Sequence, residues 1–241
     1  MQKIKPKILM SLAIAILVTT ASFSFTGDNT EFCYTEATPS TTAVTQPIKL
    51  FNALNLGLTG VSEAAFDCAI KGWEKLKAAG EIRNDSVISI IDFTKTSDQK
   101  RLFVINLHTG RLLFNTWVSH GRNSGLSKAA LFSNEQSSYK SSLGFYVTEN
   151  TYQGKHGYSL RLKGEEAGIN DRAEERGIVM HAADYVNESF IKSRGYIGRS
   201  EGCPAIPQQI HQQLISQIKN GSCLFIYSDN TSYLSQSQLL N

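Results

Sequence analysis

The sequence predicts a mainly β domain with short helices, its sheet curved or folded into a sandwich. Three observations carry this reading. From Asp85 onward, short apolar runs of strand length are broken by Gly, Asn and Ser. Helical periodicity is confined to a segment before Asp85 and another after Pro207. The strands do not alternate with helices, which argues against a parallel α/β fold. A chain of 241 residues accommodates one enzyme-sized domain and a small accessory region.

Taken in order, residues 1–21 read as an export signal. Lys3, Lys5 and Lys7 form a positive start, Ile8–Val18 is apolar, and Thr19 and Ala21 suit the small positions before a cleavage site. The apolar run is short for a membrane span, which needs roughly 20 residues. The net charge of +3 belongs to those three lysines, and nothing in the rest points to nucleic acid. Residues 22–46, rich in Thr, Ser and Ala, read as a flexible tether.

Residues 47–84 read as an N-terminal helical segment. A short helix is expected over Gln46–Leu56. A stronger one starts at an N-cap, Ser62, carries Phe66, Ile70, Trp73 and Leu76 at helical spacing, and ends at Gly80. Residues 85–230 form the expected catalytic domain, and residues 231–241 a C-terminal tail. Its candidate strands are Val87–Phe93, Leu102–Leu107, Leu112–Val118, Gly144–Thr148, Tyr158–Leu162, Ile178–His181 and Cys223–Tyr227. Thr109-Gly110 suggests a hairpin between the second and third. Pro207 reads as the opening of a helix with Ile210, Leu214, Ile215 and Ile218 inward, closed by Gly221.

Of the four cysteines, Cys68 and Cys223 read as packed core thiols. With no CxxC and no histidine pair at helical spacing, a metal site is not expected, and neither is a cofactor. Cys203 differs. It lies in G-R-S-E-G-C-P-A-I-P (198–207), between Gly202 and Pro204, and follows a strand, G-I-V-M-H (177–181), that ends in His181. A thiol needs a base, a positive neighbour or backbone donors to become a useful nucleophile. His181 can supply the base if the intervening chain folds back, and Arg199 a charge. Pro204 has no N–H, so oxyanion donors would come from Gly202 and Cys203. A cysteine and a histidine alone are more often a packed thiol and an unrelated imidazole.

These segments resemble the L,D-transpeptidase (YkuD-type) catalytic domain, whose signature is a histidine followed after a spacer by [ST]-x-G-C. The chain is similar to a variant branch with a G-R-S-x-G-C-P-A nucleophile segment. Further matches are His120-Gly121 with Asn123-Ser124-Gly125, Phe132-Ser133-Asn134, Lys140–Gly144, Gly154–Leu160 and Asn170–Ala173, so that the likeness covers about Phe51 to Tyr227. Two departures stand out. The spacer between His181 and Cys203 is longer than in the principal family, and the excess is expected to form a helix around Tyr185–Ser193. Glu201 also replaces a histidine common there, so that any role of that histidine is either lost here or taken by another group, with His156 a candidate.

The resemblance implies an exported enzyme acting on peptidoglycan stem peptides as donor and acceptor through a Cys203 thioester. It further implies a carbonyl near Ala182 orienting His181. Cationic residues should meet the stem carboxylates, from among Lys155, Arg161, Arg172, Arg176 and Arg199. Of these, Arg199 and Arg172, together with His156, Tyr158 and Ser200, are the expected substrate-binding residues, and Ser200 also orders the turn. His120 is a weaker candidate, and His108 and His211 are expected at the surface. Two alternatives remain open: a carboxypeptidase or amidase using water as acceptor, and a non-catalytic murein-binding protein.

Overall fold

The computed structural model describes residues 47–241, so the expected signal (1–21) and tether (22–46), with Cys33, lie outside the described residues. No helix among the described residues is long and apolar enough to cross a membrane.

Helix α1 (Pro47–Ala53) and a 3-10 turn (Leu56–Thr59) lead into α2 (Glu63–Ala78). Ser62 caps α2 as its spacing implies, its Oγ accepting from the Ala65 N–H at 3.1 Å. The buried face of α2 carries Ala65, Phe66, Ala69, Ile70, Gly72 and Leu76. Gly72 is required by packing: a Cβ there would lie 2.1 Å from the Phe145 ring. The helix backbone therefore rests directly on an aromatic pair, Phe145 and Phe225, stacked at 4.1 Å.

Eight strands follow: β1 (Val87–Asp92), β2 (Leu102–Asn106), β3 (Leu112–Thr116), β4 (Gly144–Gly154), β5 (Gly157–Gly164), β6 (Val179–Ala183), β7 (Ala205–Pro207) and β8 (Cys223–Tyr227). They form one sheet ordered β3-β2-β1-β8-β4-β5-β6-β7. Only β1–β8 and β6–β7 pair in parallel. β1 and β8 are buried along their whole length, which explains the continuous apolar run of β8, and β1 buries Ser89 and Asp92 along with its apolar residues. The β2–β3 hairpin turns at Gly110, with φ 69°.

The sheet curls until its ends nearly meet. Beyond β3, the Ser119 N–H donates to Ala205 O (2.8 Å), the Ser200 N–H to His120 O (2.9 Å) and the Arg122 N–H to Ser200 O (2.7 Å). The segment preceding β7 is thereby held between β6 and the continuation of β3. The mainly β class with short helices and a curved sheet is as the sequence predicts, and the structure adds that the curvature brings one sheet nearly to closure.

Three local readings need correction. Pro207 ends β7 instead of opening a helix, and α4 begins at His211 (His211–Ile218). A proline without an N–H is tolerated there because β7 is an edge strand. β4 runs to Gly154, well past Thr148, because a register shift between Thr148 and Thr151 absorbs the polar Glu149-Asn150. Residues 231–241 contain α5 (Thr231–Gln236), which buries Tyr233. The helix expected between His181 and Cys203 is present as α3 (Glu188–Arg194).

Helix α5 is held through Glu166. This buried carboxylate accepts from the Phe145 N–H (2.8 Å), the Tyr233 hydroxyl (3.1 Å) and the Ser237 hydroxyl. Glu166→Ala leaves several buried donors without an acceptor and should destabilise the domain by about 3 kcal/mol or more, at roughly 1–3 kcal/mol per orphaned group. Urea unfolding measures this, and an unchanged midpoint would rule out the clamp.

Candidate active site

The strand β6 and the turn before β7 bring His181 and Cys203 to one cleft. Parallel pairing sets His181 opposite Ala205, two residues past the cysteine. The cleft has a volume of about 490 Å³, and its lining includes Cys203, His181, His156, Ser200, Arg199 and Arg176. Arg122, Tyr152, Lys155, Tyr185 and Glu201 complete the polar part of its wall.

The turn is built by its own hydrogen bonds. Ser200 Oγ donates to Cys203 O at 2.6 Å and accepts from the Gly202 N–H at 3.1 Å. Its hydroxyl is thus committed to ordering the segment that carries Cys203. Gly202 has φ 129°, and a Cβ there would sit 2.9 Å from Lys140 O. The expected oxyanion pair requires correction: the Gly202 N–H is taken by Ser200, which leaves the Cys203 N–H.

His181 is buried, and its Nδ1 lies 2.8 Å from Ala182 O, so Nδ1 carries the proton and donates to that carbonyl. Nε2 is left as the basic nitrogen. Burial, more than any other influence, lowers the His181 pKa; the Ala182 carbonyl opposes this and the charge of His156 adds to it. Burial likewise raises the Cys203 thiol pKa, against the Val179 backbone and the Arg176 charge. Both shifts favour a neutral thiol beside a neutral imidazole. Consistent with that, the thiol donates to Gly177 O at 3.7 Å, and no direct hydrogen bond joins it to His181 among the described residues.

The residues round the pair divide into those that line the cleft and those that do not. His156 stacks on His181 with ring centroids 4.3 Å apart. Arg199 lines the cleft, with Nη1 donating to Arg122 O (3.1 Å) and Gly125 O (3.0 Å). Arg176 uses all four Nη hydrogens on Ser133 O, Ser142 Oγ, Ser138 Oγ and Lys140 O, tying the 133–142 loop together beside the cleft.

Arg172 and Tyr158 require correction, since neither lines the cleft. Arg172 is ion-paired with Glu135 and Glu175, both at 3.0 Å. Tyr158 shares the inward face of β5 with Leu160 and Leu162 and meets His211 edge-on at 6.4 Å, leaving His211 half-buried instead of exposed. Strand alternation sends Arg161 to the other face, where it stacks on Tyr152 at 4.6 Å.

His120 is structural. Its Nδ1 accepts from the buried Arg101 guanidinium at 2.7 Å, so its proton sits on Nε2, which faces Gly125 O at 3.3 Å. Burial, then the Arg101 charge, pushes its pKa down to about 3, so it stays neutral. Cys223 is a core thiol as expected, Cys68 is partly buried, and no cluster of metal-binding side chains occurs among the described residues.

A family model of the L,D-transpeptidase catalytic domain matches residues 58–227. The chain belongs to this family.

Among solved structures, this L,D-transpeptidase-family chain is similar to an L,D-transpeptidase from Mycobacterium smegmatis, with 13% identity, 59% of each chain covered and a TM-score of 0.37. It is also similar to an L,D-transpeptidase from Stackebrandtia nassauensis (14% identity, 77% of each chain, TM-score 0.36). A third is the helical cell shape determining protein Pgp2 from Campylobacter jejuni (13% identity, 61% of this chain and 49% of that one, TM-score 0.38). The chain spans 59% of the length of the first of these. No curated protein matches it.

Within this family member, Glu201 lines the cleft, is 70% exposed and pairs with Arg122 at 3.5 Å, and its charge is a minor contribution to the raised Cys203 pKa. Such an exposed pair contributes little. Glu201→Gln should change alkylation of Cys203 by a neutral reagent less than about threefold, a limit near 0.6 kcal/mol. A loss of about a hundredfold in transpeptidation would instead make Glu201 a general base.

Proposed function

We propose that the protein is an exported cysteine L,D-transpeptidase that cuts and rejoins peptide stems of peptidoglycan, with Cys203 as nucleophile and His181 as base. The observation that carries the reading is His181 itself. Its Nδ1 is fixed on Ala182 O, which leaves Nε2 basic in the cleft that also holds Cys203.

In the first half-reaction the Cys203 sulfur bonds to the carbonyl carbon of a donor stem while its proton passes to His181 Nε2. The Cys203 N–H meets the oxyanion. The carbon–nitrogen bond then breaks, and His181 returns the proton to the leaving amine. In the second, the amine of an acceptor stem attacks the thioester, gives its proton to His181, and the thiol is regenerated. The resemblance implies a donor carbonyl on an L-centre. Arg199 and Lys155 are the cleft cations proposed to meet the stem carboxylate.

Export is part of the proposal, supported by Lys3, Lys5, Lys7 and the apolar Ile8–Val18. So is the division into signal (1–21), tether (22–46), helical segment (47–84) and catalytic domain (85–230). Incubation of the purified protein with murein fragments, followed by product masses, tests the reaction. Cross-linked products support transpeptidation. Trimmed monomers alone would favour water as the acceptor, and unchanged fragments would contradict the proposal.

A further inference from the structure

The β4–β5 hairpin ends in a two-residue turn, Lys155-His156, between the paired Gly154 and Gly157. Gly157 has φ 74°, and a Cβ on Gly154 would lie 2.5 Å from the Tyr152 ring. Tyr152 is in turn held by Arg161, 4.6 Å from its centroid. A chain of contacts thus runs from Arg161 through Tyr152 to the hairpin tip. There an exposed histidine lies flat on a buried one, the rings 4.3 Å apart and inclined by 21°. An exposed side chain on a tight turn has little reason to be ordered unless its contact stabilises it.

We infer that His156 is a positioning residue of the base, holding the His181 ring in its working orientation through the stack. The inference rests on the proposed role of His181. The Ala182 carbonyl fixes the ring at one edge, and the stack fixes its plane. Charge works in the same direction. Two stacked imidazolium ions repel, so a proton on His156 disfavours one on His181 and keeps the base neutral.

Other charged groups line the same cleft, but the charge that bears on His181 is that of His156. Arg122, Arg176, Arg199 and Lys155 are the basic residues and Glu201 the acid among the lining residues. Tyr152 also lines the cleft, and burial raises the pKa of Tyr185 and of the Cys203 thiol, so both of these remain protonated at acid and neutral pH. His156 is the lining group whose ring stacks on His181, so removing it should isolate its effect.

The test uses His156→Ala and His156→Phe in the full chain, with NMR titration of the His181 ring and steady-state kinetics on muropeptides. Both variants should move the His181 midpoint to higher pH, because the repelling charge is gone. His156→Ala should lower kcat about threefold to tenfold with KM little changed, the range expected for a lost aromatic stack. His156→Phe keeps a flat ring and should restore kcat at neutral pH. An unmoved midpoint in both variants, or an unchanged kcat in His156→Ala, would overturn the inference. The Cys203→Ala protein separates the two levels. If it is inactive while the His156 variants behave as wild type, this inference alone fails. If it turns over substrate while the midpoint still shifts, the proposed function fails and the stack's hold on His181 stands.

Discussion

Cys203→Ala is expected to lose all muropeptide turnover while keeping the wild-type fold. The substitution removes one sulfur from a turn whose geometry depends on other atoms: Ser200 Oγ bonded to Cys203 O and to the Gly202 N–H, and Arg176 bonded to Lys140 O. None of these involves the thiol, whose own partner is Gly177 O at 3.7 Å. Stability should therefore change by well under about 1 kcal/mol. Cys223→Ala should behave oppositely. Its side chain is fully buried in the central strand β8, so stability should fall by about 1 kcal/mol or more before activity does. Circular dichroism melts and turnover assays on the two variants distinguish these patterns. Wild-type turnover by Cys203→Ala would remove the nucleophile from the account.

His181→Ala is expected to slow acylation by about a hundredfold to ten-thousandfold at neutral pH, the usual worth of a positioned general base. The sign of its pH dependence follows from the two shifts. The His181 pKa lies below the ordinary imidazole value, so the wild-type base stays neutral and competent until the pH falls through that lowered value. The Cys203 pKa lies above the ordinary thiol value, so the variant, dependent on free thiolate, is slow at neutral pH. Thiolate increases about tenfold per pH unit below its pKa, and the defect should shrink by that factor as pH rises. Rates of alkylation and of turnover measured across pH check this. A defect of constant size at every pH would make His181 structural.

The parts of this protein that were legible in its sequence are those where one residue's chemistry decides the structure. Ser62 before an apolar helical run fixes the start of α2, and the unbroken apolar run Cys223–Tyr227 marks β8 as a buried strand. His181 after an apolar run and Cys203 between Gly202 and Pro204 stand out for the same reason, although β6 continues past His181 to Ala183. What could not be read depends on partners distant in the chain. Helix α5 has a polar sequence and is held by Glu166, 67 positions before Tyr233 in the bond they share. Arg172 looks free beside Asp171 until Glu135 arrives from another loop, although Glu175 at the i,i+3 position was a local signal. Arg122 and Tyr152 enter the cleft only because the sheet curls, and no local pattern marks them. Pro207 obeyed a valid rule for helix starts, but an edge strand tolerates a proline equally well.

The central claim is a covalent one, and the mass of the intact protein tests it most directly. Mixed briefly with a donor stem and no acceptor, the protein should gain the mass of the stem less its released amine fragment, on a peptide containing Cys203. The adduct should disappear when an acceptor amine is added and be absent from Cys203→Ala. An adduct carried by any other residue, or turnover with no adduct even in His181→Ala at high pH, would contradict the account.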